Sequence, residues 1–137
     1  MERSLDLLKD AEDFLGAAED LYKTGRWAKV CFNCQQSAEL ALKAALNSLG
    51  LERRGHDLSE LLSELVKYSE ELKRFQDAVK KLDQYYIPTR YANTFFSGSA
   101  MEHYTKSQAE EALQYAREIF REAEGIVAER EAAKRGR

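Results

Sequence analysis

Proline is nearly absent: the 137 residues hold one, Pro88, and only seven glycines. With so few residues that remove a backbone donor or loosen the chain, long segments are free to run as unbroken helix. Cysteine is as scarce, with Cys31 and Cys34 alone, so a disulfide-stapled scaffold is excluded and one domain must fold on its hydrophobic core. No apolar run approaches the roughly 20 residues of a membrane span. The opening MERSLDLLKDAED is too acidic and amphipathic for a secretory signal. A cytoplasmic protein without membrane association is therefore expected. An excess of positive charge is missing too: the formal charge of −3 argues against nonspecific coating of nucleic acid, which needs many phosphate-neutralising side chains. Finally, there is no HExxH, no Gly-rich phosphate loop and no Gly-x-Ser-x-Gly.

What is present is helical periodicity. Leu5, Leu8, Ala11, Leu15, Ala18 and Tyr22, widened by Phe14 and Leu21, predict a first helix over Ser4 to Lys23 that Thr24-Gly25 stops. Trp27, Cys31, Cys34, Ala38, Ala41, Ala45 and Leu49 form the stripe of a second, over Arg26 to Leu49 and ended by Gly50. So short a joint makes the pair an antiparallel hairpin. Asp57 with Glu60 reads as a capping box before Leu58, Leu61, Leu62, Leu65 and Val66. Ser69 reads as the cap of a fourth helix with Leu72, Phe75, Val79 and Leu82 on one face. Thr105 with Gln108 opens a last helix whose Ala109 to Val127 positions face a core. The fold class is all-α, a bundle of about five helices. The domain is expected over residues 1–128, with 129–137 a basic tail (Arg130, Lys134, Arg135, Arg137) that frays into solvent.

Several constellations could carry chemistry. Cys31-x-x-Cys34 lies inside the second helix on its apolar stripe, without the further ligands that zinc needs or the helix-start position of a redox pair, so core packing is the reading. Gln35 and Glu39 sit on the shoulder of that stripe with Lys43 one turn on, either lining a groove or forming an i, i+4 pair on a wet surface. His56 and His103 each precede a helix, as solvent-facing residues or as catalytic ones. Six of the aromatics cluster between Tyr85 and Tyr104, where Pro88 ends any helix and Gly98 marks a turn. That concentration suggests a contact surface. Arg90 there can fork onto a phosphate, or pair with a buried acid such as Glu39.

Three segments together, CFNCQQSAELALKAAL, GHDLSELLSEL, and YYIPTRYANTF followed by TKSQAEEALQYAREI, resemble the HEPN family. This small helical domain is named for its occurrence in higher eukaryotes and prokaryotes and for proposed nucleotide binding. The resemblance covers about Leu5 to Val127. It implies an up-and-down bundle of four long helices plus one short helix, a homodimer, and frequent pairing with a minimal nucleotidyltransferase in a toxin–antitoxin-like couple. Ribonucleases of this superfamily carry an arginine followed four to six residues later by histidine. After Arg90 those positions are Thr94, Phe95 and Phe96, and Arg-Tyr-Pro is replaced by Arg90-Tyr91-Ala92.

The combined reading is a nucleotide-, RNA- or partner-binding module. Gln35, Glu39, Lys43, Arg90 and Tyr91 line its groove, Tyr86 and Tyr91 stack or wall it, Arg90 meets phosphate and Asn93 adds polar recognition. No catalytic residue, metal site or cofactor is assigned. The alternatives are a metal-independent endoribonuclease in which folding delivers His56 or His103 to Arg90, and a structural dimer without ligand.

Overall fold

The computed structural model describes residues 2–52, 55–86 and 98–136. Its elements are α1 (Glu2–Lys23), α2 (Trp27–Ser48), α3 (Leu58–Tyr68), α4 (Gln76–Asp83) and α5 (Lys106–Arg135), with 3₁₀ turns over Glu70–Phe75 and Ala100–His103. The all-α bundle is thus as expected, and no strand occurs among the described residues. The helix lengths are uneven: α1 and α2 have 22 residues each and α5 has 30, while α3 and α4 have 11 and 8.

Glycine sets both ends of the α1–α2 hairpin. Gly25 at φ 74° lets the Arg26 amide return to the Leu21 carbonyl, and Gly50 at φ 82° lets the Leu51 amide return to Leu46 at 2.9 Å. A side chain with a Cβ strongly disfavours that left-handed backbone. Ser37 Oγ then ties the two helices by donating to the Ala11 carbonyl at 2.8 Å.

α2 lies at the centre, packing on α1 and α5 and also on α3 and α4. Its alanines 38, 41, 44 and 45 are fully buried, and their small side chains let neighbouring helices approach closely. A helix with partners on so many sides is buried well beyond a single stripe: Val30, Leu42 and Leu46 are core residues as well. Cys31 and Cys34 are free thiols in that core. Burial pushes Cys31 up to about 12 and Cys34 further in the same direction, so neither is a ready thiolate.

Three local expectations need correction. Ser69 makes no side-chain cap, and the chain after it is a 3₁₀ turn before α4 begins at Gln76; Leu72, Phe75, Val79 and Leu82 are buried nevertheless. The residues expected as a basic tail continue α5 to Arg135, with Arg130, Glu131 and Lys134 half-buried. The aromatic cluster is divided. Tyr85 and Tyr104 are core residues meeting edge to face at 5.8 Å, whereas Tyr91, Phe95 and Phe96 lie outside the described residues. Among the described residues, no helix is long and apolar enough to cross a membrane.

Candidate functional site

Successive members of Gln35, Glu39 and Lys43 are four residues apart, about one turn of helix, so all three project from the same side of α2. At Gln35 and Glu39 that side is neither a groove rim nor a wet surface, while Lys43 also borders a cleft of about 370 Å³. Gln35 is 0% exposed and Glu39 is 4% exposed, because the connection into α3 folds back over them. A carboxylate held there needs partners, and two cationic or cation-capable groups supply them. Lys43 Nζ donates to Glu39 Oε2 at 2.8 Å, and His56 Nδ1 stands 2.9 and 3.0 Å from the two carboxylate oxygens. Gln35 Nε2 adds longer contacts of 3.4 Å to Glu39 Oε1 and to the His56 carbonyl. Its own Oε1 accepts from Gln36 Nε2 at 2.7 Å.

Sequence reasoning missed the contact of His56 with Glu39, having placed that histidine as a solvent-facing or helix-start residue or, in the endoribonuclease alternative, as a partner of Arg90. His56 lies two residues before α3 and its side chain is 55% exposed, but its inner nitrogen is anchored on a buried acid. The available signal was Glu39 itself: a carboxylate beside an apolar stripe asks for more than one lysine, and the connection of α2 to α3 is long enough to bring an imidazole back. With Nδ1 held against a carboxylate, the neutral ring carries its proton there and leaves Nε2 as the acceptor. The ring also stacks on Tyr86, centroids 4.6 Å apart and planes 18° from parallel. Tyr86 therefore joins Gln35, Glu39 and Lys43 through His56. Arg90, Tyr91 and Asn93 lie outside the described residues, and His103 is exposed at the end of its 3₁₀ turn.

The placement of His56 opposite Tyr86 depends on the first turn of α3. Asp57 accepts from the amides of Ser59 and Glu60 as expected. The second carboxylate at this end is Asp83 of α4 rather than Glu60: it accepts from the Leu58 amide at 2.7 Å, the Ser59 amide at 3.1 Å and Ser59 Oγ at 3.0 Å. Both acids lie where the helix dipole favours negative charge. Three residues beyond Asp83 comes Tyr86, and two before Leu58 comes His56, so this clamp brings the two rings together.

Asp83→Ala is expected to cost about 2 kcal/mol at neutral pH, since it leaves charged hydrogen bonds to the helix start unmade. Burial outweighs the pull of those donors and raises the Asp83 carboxyl above the usual range. A raised folded value favours the protonated form in the folded state, a contribution present at acid pH and lost as pH rises through that value. Relative to Asp83→Asn, the natural chain should gain stability between neutrality and about pH 4; urea titrations at the two ends of that window measure it.

Another cleft lies apart from this cluster. It has a volume of about 680 Å³, runs between the Glu70–Phe75 turn, α4 and α5, and contains none of the cluster's residues. Arg74 beside it pairs with Glu122 and lies over the Phe75 ring. Among the described residues, no group of three His, Cys, Asp or Glu side chains could hold a metal ion.

Comparison with known proteins agrees with this fold. The HEPN domain family model matches residues 4–126. A Methanocaldococcus jannaschii protein named "Putative toxin MJ1304" is 28% identical over 122 residues, 82% of this chain and 80% of that one. Among solved structures, TT1696 from Thermus thermophilus superposes with a TM-score of 0.85 at 38% identity, covering 95% of this chain and 99% of that one. ST0689, described as an archaeal HEPN homologue, gives 0.78 at 32% identity over 93% and 99%. A HEPN domain protein of Thermotoga maritima, tm0613, gives 0.72 at 28% over 90% and 98%.

Proposed function

This chain belongs to the HEPN domain family, and from that premise we propose that it is a toxin–antitoxin-like HEPN module whose working surface binds nucleotide or RNA phosphates at His56 and Tyr86. The kinship with a protein named as a toxin supports the first part of this reading. The single observation that carries the second is the anchored His56: its ring is fixed by Glu39 on one edge and by Tyr86 on one face, while more than half of its side chain stays open to solvent. In its protonated form a ring so held donates Nε2–H to a phosphate oxygen without losing further side-chain freedom, with Tyr86 as its wall. One residue past Tyr86 begins the segment bearing Arg90, Tyr91 and Asn93, which supply phosphate contact, stacking and polar recognition. A homodimer, and a minimal nucleotidyltransferase as companion, complete the proposal; sedimentation equilibrium reads the first of these.

The test is fluorescence anisotropy with a labelled single-stranded RNA. Arg90→Ala and His56→Ala should each weaken binding by about 1.5–3 kcal/mol, the scale of a charged hydrogen bond, and the affinity should fall with added salt. RNA affinity unchanged in both variants would remove this surface from the function.

The same geometry favours one second reading, an endoribonuclease. An imidazole with Nδ1 on a carboxylate and Nε2 free is arranged to take the proton of a ribose 2′-hydroxyl. Cleavage of the RNA probe by the natural chain, abolished in His56→Gln and absent on a 2′-deoxy substrate, distinguishes it from binding alone.

A further inference from the structure

The Glu39 carboxylate is one negative charge shared between two bases of different strength. Lys43 Nζ takes Oε2 at 2.8 Å, and His56 Nδ1 lies 2.9 and 3.0 Å from the two oxygens. The Lys43 and Glu39 side chains are 18% and 5% exposed, so salt and water screen this balance of charge only weakly. A lysine ammonium keeps its proton far above neutrality, whereas an imidazole gains and loses its own close to it. Lysine is thus the permanent partner of the acid and histidine the conditional one.

Counting charge gives Lys43 a role beyond packing. With Glu39 ionised and Lys43 charged the group is already neutral, and a proton added to His56 makes it positive by one. Without the ammonium the same proton would complete the neutralisation, because the imidazolium would face an uncompensated carboxylate at hydrogen-bond distance. The other described groups around the ring leave this balance to Lys43. Tyr86 stacks on it with centroids 4.6 Å apart, and Gln35 brings a neutral amide. Asp57 and Asp83 accept from the amides and the Ser59 hydroxyl at the start of α3. Arg3 and Glu52, of opposite charge, border the cleft beside Lys43.

We propose that Lys43 is a positioning residue of the His56 surface: by claiming the Glu39 charge it makes a second positive charge on the ring costly until a phosphate supplies the balance, so that phosphate binding is coupled to uptake of a proton at His56 Nε2. The proton comes from solvent, lands on the nitrogen that the neutral tautomer leaves free, and is donated to a phosphate oxygen; no covalent bond of the phosphate forms or breaks. The coupling has a direction. Bound phosphate favours the imidazolium, and by reciprocity the affinity falls as pH rises. The inference rests on the phosphate-binding reading above and names the residue that regulates it.

Two measurements on the full chain test it. The chain has only two histidines, His56 and His103, so proton NMR follows each ring through a pH titration without any ligand. In Lys43→Met the His56 signal should titrate about one pH unit higher than in the natural chain, the low end of what a neighbouring charge does. Lys43→Arg, which keeps a cation on Glu39, should match the natural chain, and His103 should be unmoved in all three. Calorimetric titration with a single-stranded RNA, repeated in buffers of different ionisation enthalpy, then counts protons. At about pH 7.5, above the ordinary histidine value, the natural chain and Lys43→Arg should take up part of a proton on binding, and Lys43→Met clearly less. Should thermal melting show that the methionine variant does not fold, Lys43→Gln, whose amide still donates to Glu39, gives the same comparison. An unshifted His56 signal, or equal proton uptake with and without the lysine charge, would overturn the proposal. The two readings fail separately: RNA binding that depends on His56 with an unshifted ring signal sinks the role of Lys43 alone, and a shifted signal without RNA binding sinks the phosphate reading alone.

Discussion

Glu39→Ala should destabilise the chain by about 3 kcal/mol, because it strips a buried ammonium of its counter-charge. Lys43 has an 18% exposed side chain and its Nζ lies 2.8 Å from Glu39, so with the carboxylate gone this largely buried ammonium loses its ion-pair partner. Gln35 would lose one of its two acceptors as well. Glu39→Gln, which keeps the volume and an accepting oxygen, should cost less. The decisive comparison is the double variant Glu39→Leu/Lys43→Met. If the loss comes from an orphaned charge, removing both partners should recover most of the stability, since apolar residues of similar size often replace a buried pair without penalty. Strict additivity of the two single changes in a urea double-mutant cycle would show that the pair is not coupled. His56 provides a second readout: without its carboxylate anchor the ring should lose order against Tyr86, and RNA affinity should fall even where the fold survives.

Leu58→Ala should cost a similar amount, about 3 kcal/mol, the middle of the range for emptying a fully buried leucine site. Leu58 is 0% exposed and is the first residue of α3, with its amide on Asp83. The cavity therefore opens beneath the turn that carries His56. Leu5→Ala, at a position on α1 that is largely exposed, should change stability by less than about 0.5 kcal/mol. Urea unfolding of the two variants side by side tests the assignment. Equal effects would mean that α3 does not seat on the core as described. Loss of RNA binding in Leu58→Ala, measured below its unfolding midpoint, would tie site geometry to core packing.

The sequence by itself determined the elements whose causes are local. Helical spacing of apolar side chains located α1, α2 and α5, glycine marked both ends of the α1–α2 hairpin, and Asp57 and Thr105 announced the starts of α3 and α5 through caps that span only three residues. The core role of Cys31 and Cys34 was legible for the same reason, since they continue the stripe of Trp27, Ala38 and Ala41. Tertiary structure alone decided how far α2 is buried. Periodicity shows which residues share a face but not how many neighbours the helix has, so Gln35 and Glu39 looked like a groove rim and are interior. It also decided the partners of Glu39 and the cap of α3: His56 lies 17 positions from Glu39 and Asp83 lies 25 from Leu58. Pairings at such separation leave no periodic trace, because they depend on how a connection closes over a helix and on the burial that makes a lone carboxylate costly.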